Sequence, residues 1–215
     1  MAQLFAAAPF EGTVSFDLSA NGRGTPQSLS YAIKGQLVRV EIQAEGQAFA
    51  SIIDPGKQEM TILMPDQGMY MVMPMKAGME AAAKAGGVES TAQVDRTGKT
   101  EKILGYQCEQ VLVKDKGQVT ELWLAEGLGT FAGLGSGNPL AGGKKSAASA
   151  KWEEALKDIG GFPLRVISRD SKSKEVFKME AKAIKPGTLP ASHFQPPAGL
   201  QKFSMPAMGG MNPFN

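Results

Sequence analysis

Short reversals between alternating segments constrain this chain more than any other feature. Val14, Phe16 and Leu18 alternate with Thr13, Ser15 and Asp17, the period-two signature of a half-buried strand. Asn21-Gly22-Arg23-Gly24 then turns the chain into a second segment, Ser28 to Lys34. Gly35-Gln36 leads to Val38, Val40 and Ile42, which alternate with Arg39, Glu41 and Gln43. Glu45-Gly46, Asp54-Pro55-Gly56-Lys57 and Pro65-Asp66-Gln67-Gly68 separate the segments that follow, 48–53, 60–64 and 69–75. Parallel neighbours need a crossover of a dozen or more residues, so connections this short force antiparallel pairing. Residues 10–75 read as an antiparallel meander.

The second half continues the strands but interrupts them twice. Residues 76–85 are Ala-rich and helical in propensity, with Gly86-Gly87 as a stop. Strands resume near 91–96, 100–104, 108–114 and 119–125. Gly127 to Gly143 is Gly-rich and without periodicity, and reads as a mobile loop or flap within one domain. Ser146 is placed to cap a helix on which Ala148, Trp152, Ala155, Leu156 and Ile159 recur at helical spacing. Strands at 164–169 and 176–184 flank a hairpin turn at Asp170-Ser171-Lys172-Ser173. The expectation is a mainly β, α+β chain of roughly ten strands in one curved sheet, with helical inserts at about 76–86 and 146–159. Residues 1–9 form an N-terminal arm, 10–203 one domain, and 204–215 a flexible tail of Met, Pro, Gly and Asn.

Composition narrows the function classes. Apolar residues are 42% of the 215, enough for a core, while Gly (26) and Pro (13) together approach a fifth of the chain. Lys and Arg (23) nearly balance Asp and Glu (21), giving +2, without the clustered basic face of a nucleic-acid binder. One cysteine, Cys108, excludes an intramolecular disulfide and multi-thiolate metal sites. One histidine, His193, removes the zinc and triad signatures, so no catalytic residue, cofactor or metal ligand set is assigned. Cys108 reads as a small buried hydrophobe and His193 as structural. No stretch reaches the ~18 apolar residues of a membrane span. Ala2-Gln3 resembles a pair left around a signal-peptidase cut, so the chain reads as a mature periplasmic or secreted protein with Met1 added for expression.

Several phrases carry a family resemblance. Ile103-Leu104-Gly105-Tyr106-Gln107-Cys108, with Trp123 in the next strand, resembles the Ile-Leu-Gly-Tyr-x-Cys signature of a bacterial envelope family, domain of unknown function 4412. Asp54-Pro55, Gly161-Phe162-Pro163-Leu164 and the close Ser192-His193-Phe194-Gln195-Pro196-Pro197-Ala198-Gly199-Leu200 belong to the same likeness. That ending and the strand-rich layout are similar to the lipoprotein-carrier (LolA/LolB-like) superfamily. The resemblance implies an incomplete β-barrel whose concave face is covered by helices, with an apolar cavity between.

Methionine is the most unusual local feature. Met60 and Met64 share one strand face, and Met69, Met71, Met73 and Met75 another, with Met79 following in the helical insert. Tyr70 and Val72 make the opposite face of that strand apolar too, so it must be covered twice. Three readings stand. Met fills irregular gaps in a dry core, making the chain a structural or protein-interaction module. Alternatively, adaptable thioethers line a pocket for a lipid or lipidated peptide, formed by Met60, Ile62, Met64, Met69, Met71, Met73, Met75, Met79 and Trp123. A third reading is Cu(I) ligation by thioethers, to which Met205-x-x-Met208-x-x-Met211 adds donors.

Overall fold

The structure, a computed structural model, describes residues 9–20, 27–44, 47–76, 92–129, 131–133 and 147–203. The first meander forms as expected: β1 (Glu11–Ala20), β2 (Gln27–Lys34), β3 (Leu37–Ala44), β4 (Gln47–Asp54), β5 (Glu59–Met64) and β6 (Met69–Pro74). Each pairs antiparallel with the next. A second meander follows: β7 (Gln93–Ile103), β8 (Tyr106–Asp115), β9 (Gln118–Ala125), β10 (Phe162–Arg169) and β11 (Glu175–Pro186). β11 pairs with β1 and joins the two halves into one twelve-stranded sheet, open between its edges β7 and β12 (Gln201–Lys202). The helix α1 (Ala147–Ile159) is the second expected insert. The first, 76–86, lies outside the described residues beyond Lys76, as does the tail from 204.

Two strands differ from the sequence reading. The segments 91–96 and 100–104 are one strand, because the ladder to β8 shifts register between Arg96 and Thr100 without breaking. Thr97 holds the bulge by donating its hydroxyl to the Gln110 side chain at 2.9 Å. The sheet is also not wholly antiparallel: β12 runs parallel to β6 for two residues. Residues 187–200 cross from β11 to that edge, and Phe194 packs there with Ala32, Ala50, Ile52 and Leu63. Tyr70 joins this second cluster, so the doubly apolar strand is covered on that side by the C-terminal segment.

The main core sits on the other face, called inner here. Directly opposed residues in a ladder share a face, so the pairing Val14–Tyr31–Val40 defines it, and all three are buried. α1 packs on this face through Trp152, Ala155 and Leu156, with the Trp152 ring 6.4 Å from Phe177 of β11. The Gly-rich stretch also departs from expectation where it is described. Leu128 is buried, Phe131 stacks on Tyr31, and the Tyr31 hydroxyl donates to the Gly133 carbonyl. Its first residues are core, not a free flap. Residues 134–146 lie outside the described set.

Candidate functional site

Strand register decides which predicted residues meet. Inner-face rows run from the core to β6 along opposed pairs. One reads Ile33–Val38–Ile53–Met60–Met73 and the next Tyr31–Val40–Ser51–Ile62–Met71; beside them Leu29–Ile42–Phe49 and the opposed pair Met64–Met69 lie on the same face. The two methionine sets therefore occupy a single face across β5 and β6. Met60 opposes Met73, Ile62 opposes Met71, and Met64 opposes Met69. Ile62, Met64 and Met71 are buried, whereas Met60, Met69 and Met73 are half-buried. Met75 follows the end of β6, half-buried, with its backbone N–H donating to Gln58 O at 2.8 Å. Met79 lies outside the described residues.

Trp123 does not join them. It opposes Gln110 and Arg165, one residue out of phase with the inner-facing Leu122, so it points to the other side of the sheet. Its indole N–H donates to Glu121 Oε1 at 2.6 Å. Burial alone pushes the Glu121 carboxyl up, but Trp123, Gln110 and Arg169 outweigh it and hold that group below its ordinary 4.5. On the same side Arg165 bridges Glu101 (2.9 Å) and Glu180 (3.3 Å). The Trp123 indole N–H is satisfied by this charged network, while its ring is buried in the main apolar cluster and not beside the methionines.

The remaining chemistry-bearing groups are occupied structurally. Cys108 is fully buried, and burial pushes its thiol up, away from the thiolate a nucleophile needs. His193 packs edge-on to Phe194, and its carbonyl accepts from Arg39 at 2.9 Å. Among the described residues no group of three or more His, Cys, Asp or Glu could hold a metal ion, and no helix is long and apolar enough to cross a membrane. A cleft of about 390 Å³ is lined by Phe10, Gly35, Ala125, Gly127 and Gly129, among others. A second, of about 360 Å³, lies beside Arg96, Cys108, Glu109 and Ile159. Neither touches the methionine face.

Helical spacing places Trp152 on the buried stripe of α1 but says nothing of its indole N–H. Its Nε1–H is buried with no hydrogen-bond partner among the described residues. Its neighbours are rings, Phe131 at 5.7 Å and Phe177 at 6.4 Å. Tyr31, beside them, has its hydroxyl pushed well up by burial and by the nearby Glu153 charge.

Comparison with solved structures places the fold in known company. PNGF-II aligns at a TM-score of 0.51 and 12% identity, over 92% of this chain and 31% of its own, so this chain spans about a third of that protein. An uncharacterized conserved protein from Thermus thermophilus aligns at 0.49 and 11% over 90% of each chain. A putative outer membrane lipoprotein-sorting protein domain from Vibrio parahaemolyticus aligns at 0.32 and 12%, over 86% of this chain and 88% of that one. At such identities the likeness concerns fold alone. The curated proteins gave no significant match. The sequence pattern of the family described as Domain of unknown function (DUF4412) spans residues 10–200, which covers both meanders, α1 and the C-terminal crossing segment, and the chain belongs to that family.

Proposed function

We propose that this is a non-enzymatic cell-envelope protein, periplasmic or secreted, that holds a hydrophobic ligand such as an acyl chain against its inner sheet face. One observation carries the reading: register gathers Met60, Ile62, Met64, Met69, Met71 and Met73 on one face at the β6 side of the sheet. That surface has no charged side chain in its rows, and unbranched thioethers repack around ligands of varied shape. The burial of Cys108 and the packing of His193 support a role in binding rather than catalysis.

Burying an acyl chain gains about 0.8 kcal/mol per methylene, so a dozen methylenes suffice for micromolar affinity after the cost of association. Mass spectrometry of organic extracts should find a lipid at a fixed ratio to protein. A solvatochromic apolar dye should bind saturably, and Met71→Lys should cut its affinity at least tenfold while Met71→Leu retains it. A folded protein that takes up no dye and yields no lipid would leave the methionine face as dry core, the structural-module reading.

A further inference from the structure

We propose that Met60, Met71 and Met73 form a site for one Cu(I) ion per chain. The inference goes beyond apolar-ligand binding; it uses part of the same face but does not depend on that reading.

The geometry comes from register alone. Met60 and Met73 are directly opposed across β5 and β6, where opposed Cβ atoms stand about 4.5–5.5 Å apart. Met71 lies two residues before Met73 on the same face and diagonal to Met60, about 7–8 Å away at the backbone. Three rotatable bonds per methionine let sulfurs starting at these separations converge on one point. Met71 is 5% exposed and Ile62, opposite it, is 0% exposed, so the floor of the site is dry. Met60 and Met73 are half-buried, which leaves an ion a way in.

The donor chemistry then selects the metal. Thioether sulfur is neutral and soft, which suits Cu(I) and disfavours Mg²⁺, Ca²⁺ and Mn²⁺, which take oxygen ligands. The row through Met60 and Met73 continues into Ile53 and Val38, and the row through Met71 into Ile62, Ser51 and Val40, so no carboxylate or imidazole competes within them. Five of the twelve methionines in the chain stand on this two-strand face, where leucine or isoleucine would fill a dry core equally well. A thioether also carries no titratable proton, so uptake should be the same at pH 5 and pH 8, unlike binding by Cys, His or carboxylate.

The test uses the full chain without oxygen, with Cu(I) supplied from a chromophoric chelator and Ag(I) as a redox-inert counterpart. The expected result is a plateau at one ion per chain, independent of pH from 5 to 8. Methyl-¹³C methionine spectra should show shifts confined to Met60, Met71 and Met73. The double variant Met60→Leu/Met73→Leu should lose at least tenfold in Cu(I) affinity while circular dichroism and the urea midpoint stay those of the wild type; dye uptake and lipid extraction, measured on the wild type, bear only on the apolar-ligand reading. If the double variant unfolds, Met71→Leu alone serves, with the same loss expected. No saturable uptake, or unchanged affinity in the folded variants, would overturn the site. So would shifts confined to Met205, Met208 and Met211, which would put the ion on the tail.

Discussion

Phe131 stacks on Tyr31 with ring centroids 5.1 Å apart and planes inclined by 20°. The same ring stands edge-on to Phe162 at 5.7 Å and tilted to Trp152 at 5.7 Å. One residue of a Gly-rich segment thus links β2, β10 and α1. Phe131→Ala should lower stability by about 2–4 kcal/mol, below the full cost for a completely buried phenylalanine because the ring is half-buried. Urea titration checks it. A change within about 0.5 kcal/mol would mean that the segment leaves the core in solution.

Trp152 tests the helix from the other side. Its side chain is fully buried, so Trp152→Ala should cost about 3–5 kcal/mol in denaturant titration. Trp152→Phe should cost distinctly less. It keeps most of the contact with Phe131 and Phe177 and removes a buried N–H that has no partner among the described residues. Equal losses for the two substitutions would show that the indole N–H is satisfied in solution.

These two residues also mark how far the sequence could be read. The meanders were legible because strands such as β1 and β3 alternate cleanly and the turns of the first meander are too short for a crossover. Trp152, Leu156 and Ile159 were legible as a helical stripe for the same periodic reason. Phe131 and Leu128 carry no periodicity, and only tertiary packing makes them core. The face of Trp123 was not legible because Leu122-Trp123-Leu124-Ala125 is apolar throughout, which erases parity; Glu121, two residues earlier, is the local signal. The crossing segment 187–200 was recognised only as a closing motif. Its Phe194 meets residues from β2, β4 and β5, long-range contacts that no local pattern encodes.

The start of that crossing segment predicts a pH dependence. Glu11 Oε1 accepts from the Leu189 backbone N–H at 2.5 Å and from Lys34 Nζ at 2.9 Å, and Lys34 also donates to the Leu189 carbonyl at 2.6 Å. The Leu189 N–H first, then Lys34, hold the Glu11 carboxyl below its ordinary 4.5. A carboxyl lowered in the folded state stabilises fully above its unfolded value, and that contribution fades as pH falls through the folded value. Glu11→Gln should therefore be less stable than wild type at pH 7, with the gap closing as the pH falls below the ordinary 4.5 and through the lower folded value, where the wild-type carboxyl protonates. Urea midpoints at pH 7, 5 and 3 give the comparison. A gap that widens on acidification would contradict the assignment of these contacts to the charged form.

A close backbone approach at Gly12 gives the last prediction. Gly12 opposes Pro186 on β11 and Ile33 on β2, with φ at +151°. A Cβ there would clash with the Lys185 carbonyl oxygen and stand 2.8 Å from the Pro186 Cα, both backbone atoms of the strand that joins the two meanders. Neither atom yields without shifting the β1–β11 ladder, so the clash adds to the cost of a backbone conformation that L-residues avoid. Gly98, in the β7 bulge at φ +73°, has open space where its Cβ would go. Gly98→Ala should then cost only about 1–2 kcal/mol, the left-handed penalty alone. Gly12→Ala should cost about 2–4 kcal/mol, combining that strain with displaced backbone. Paired thermal and urea unfolding of the two variants measures the difference, and equal losses would mean that β1 and β11 stand further apart than this register allows.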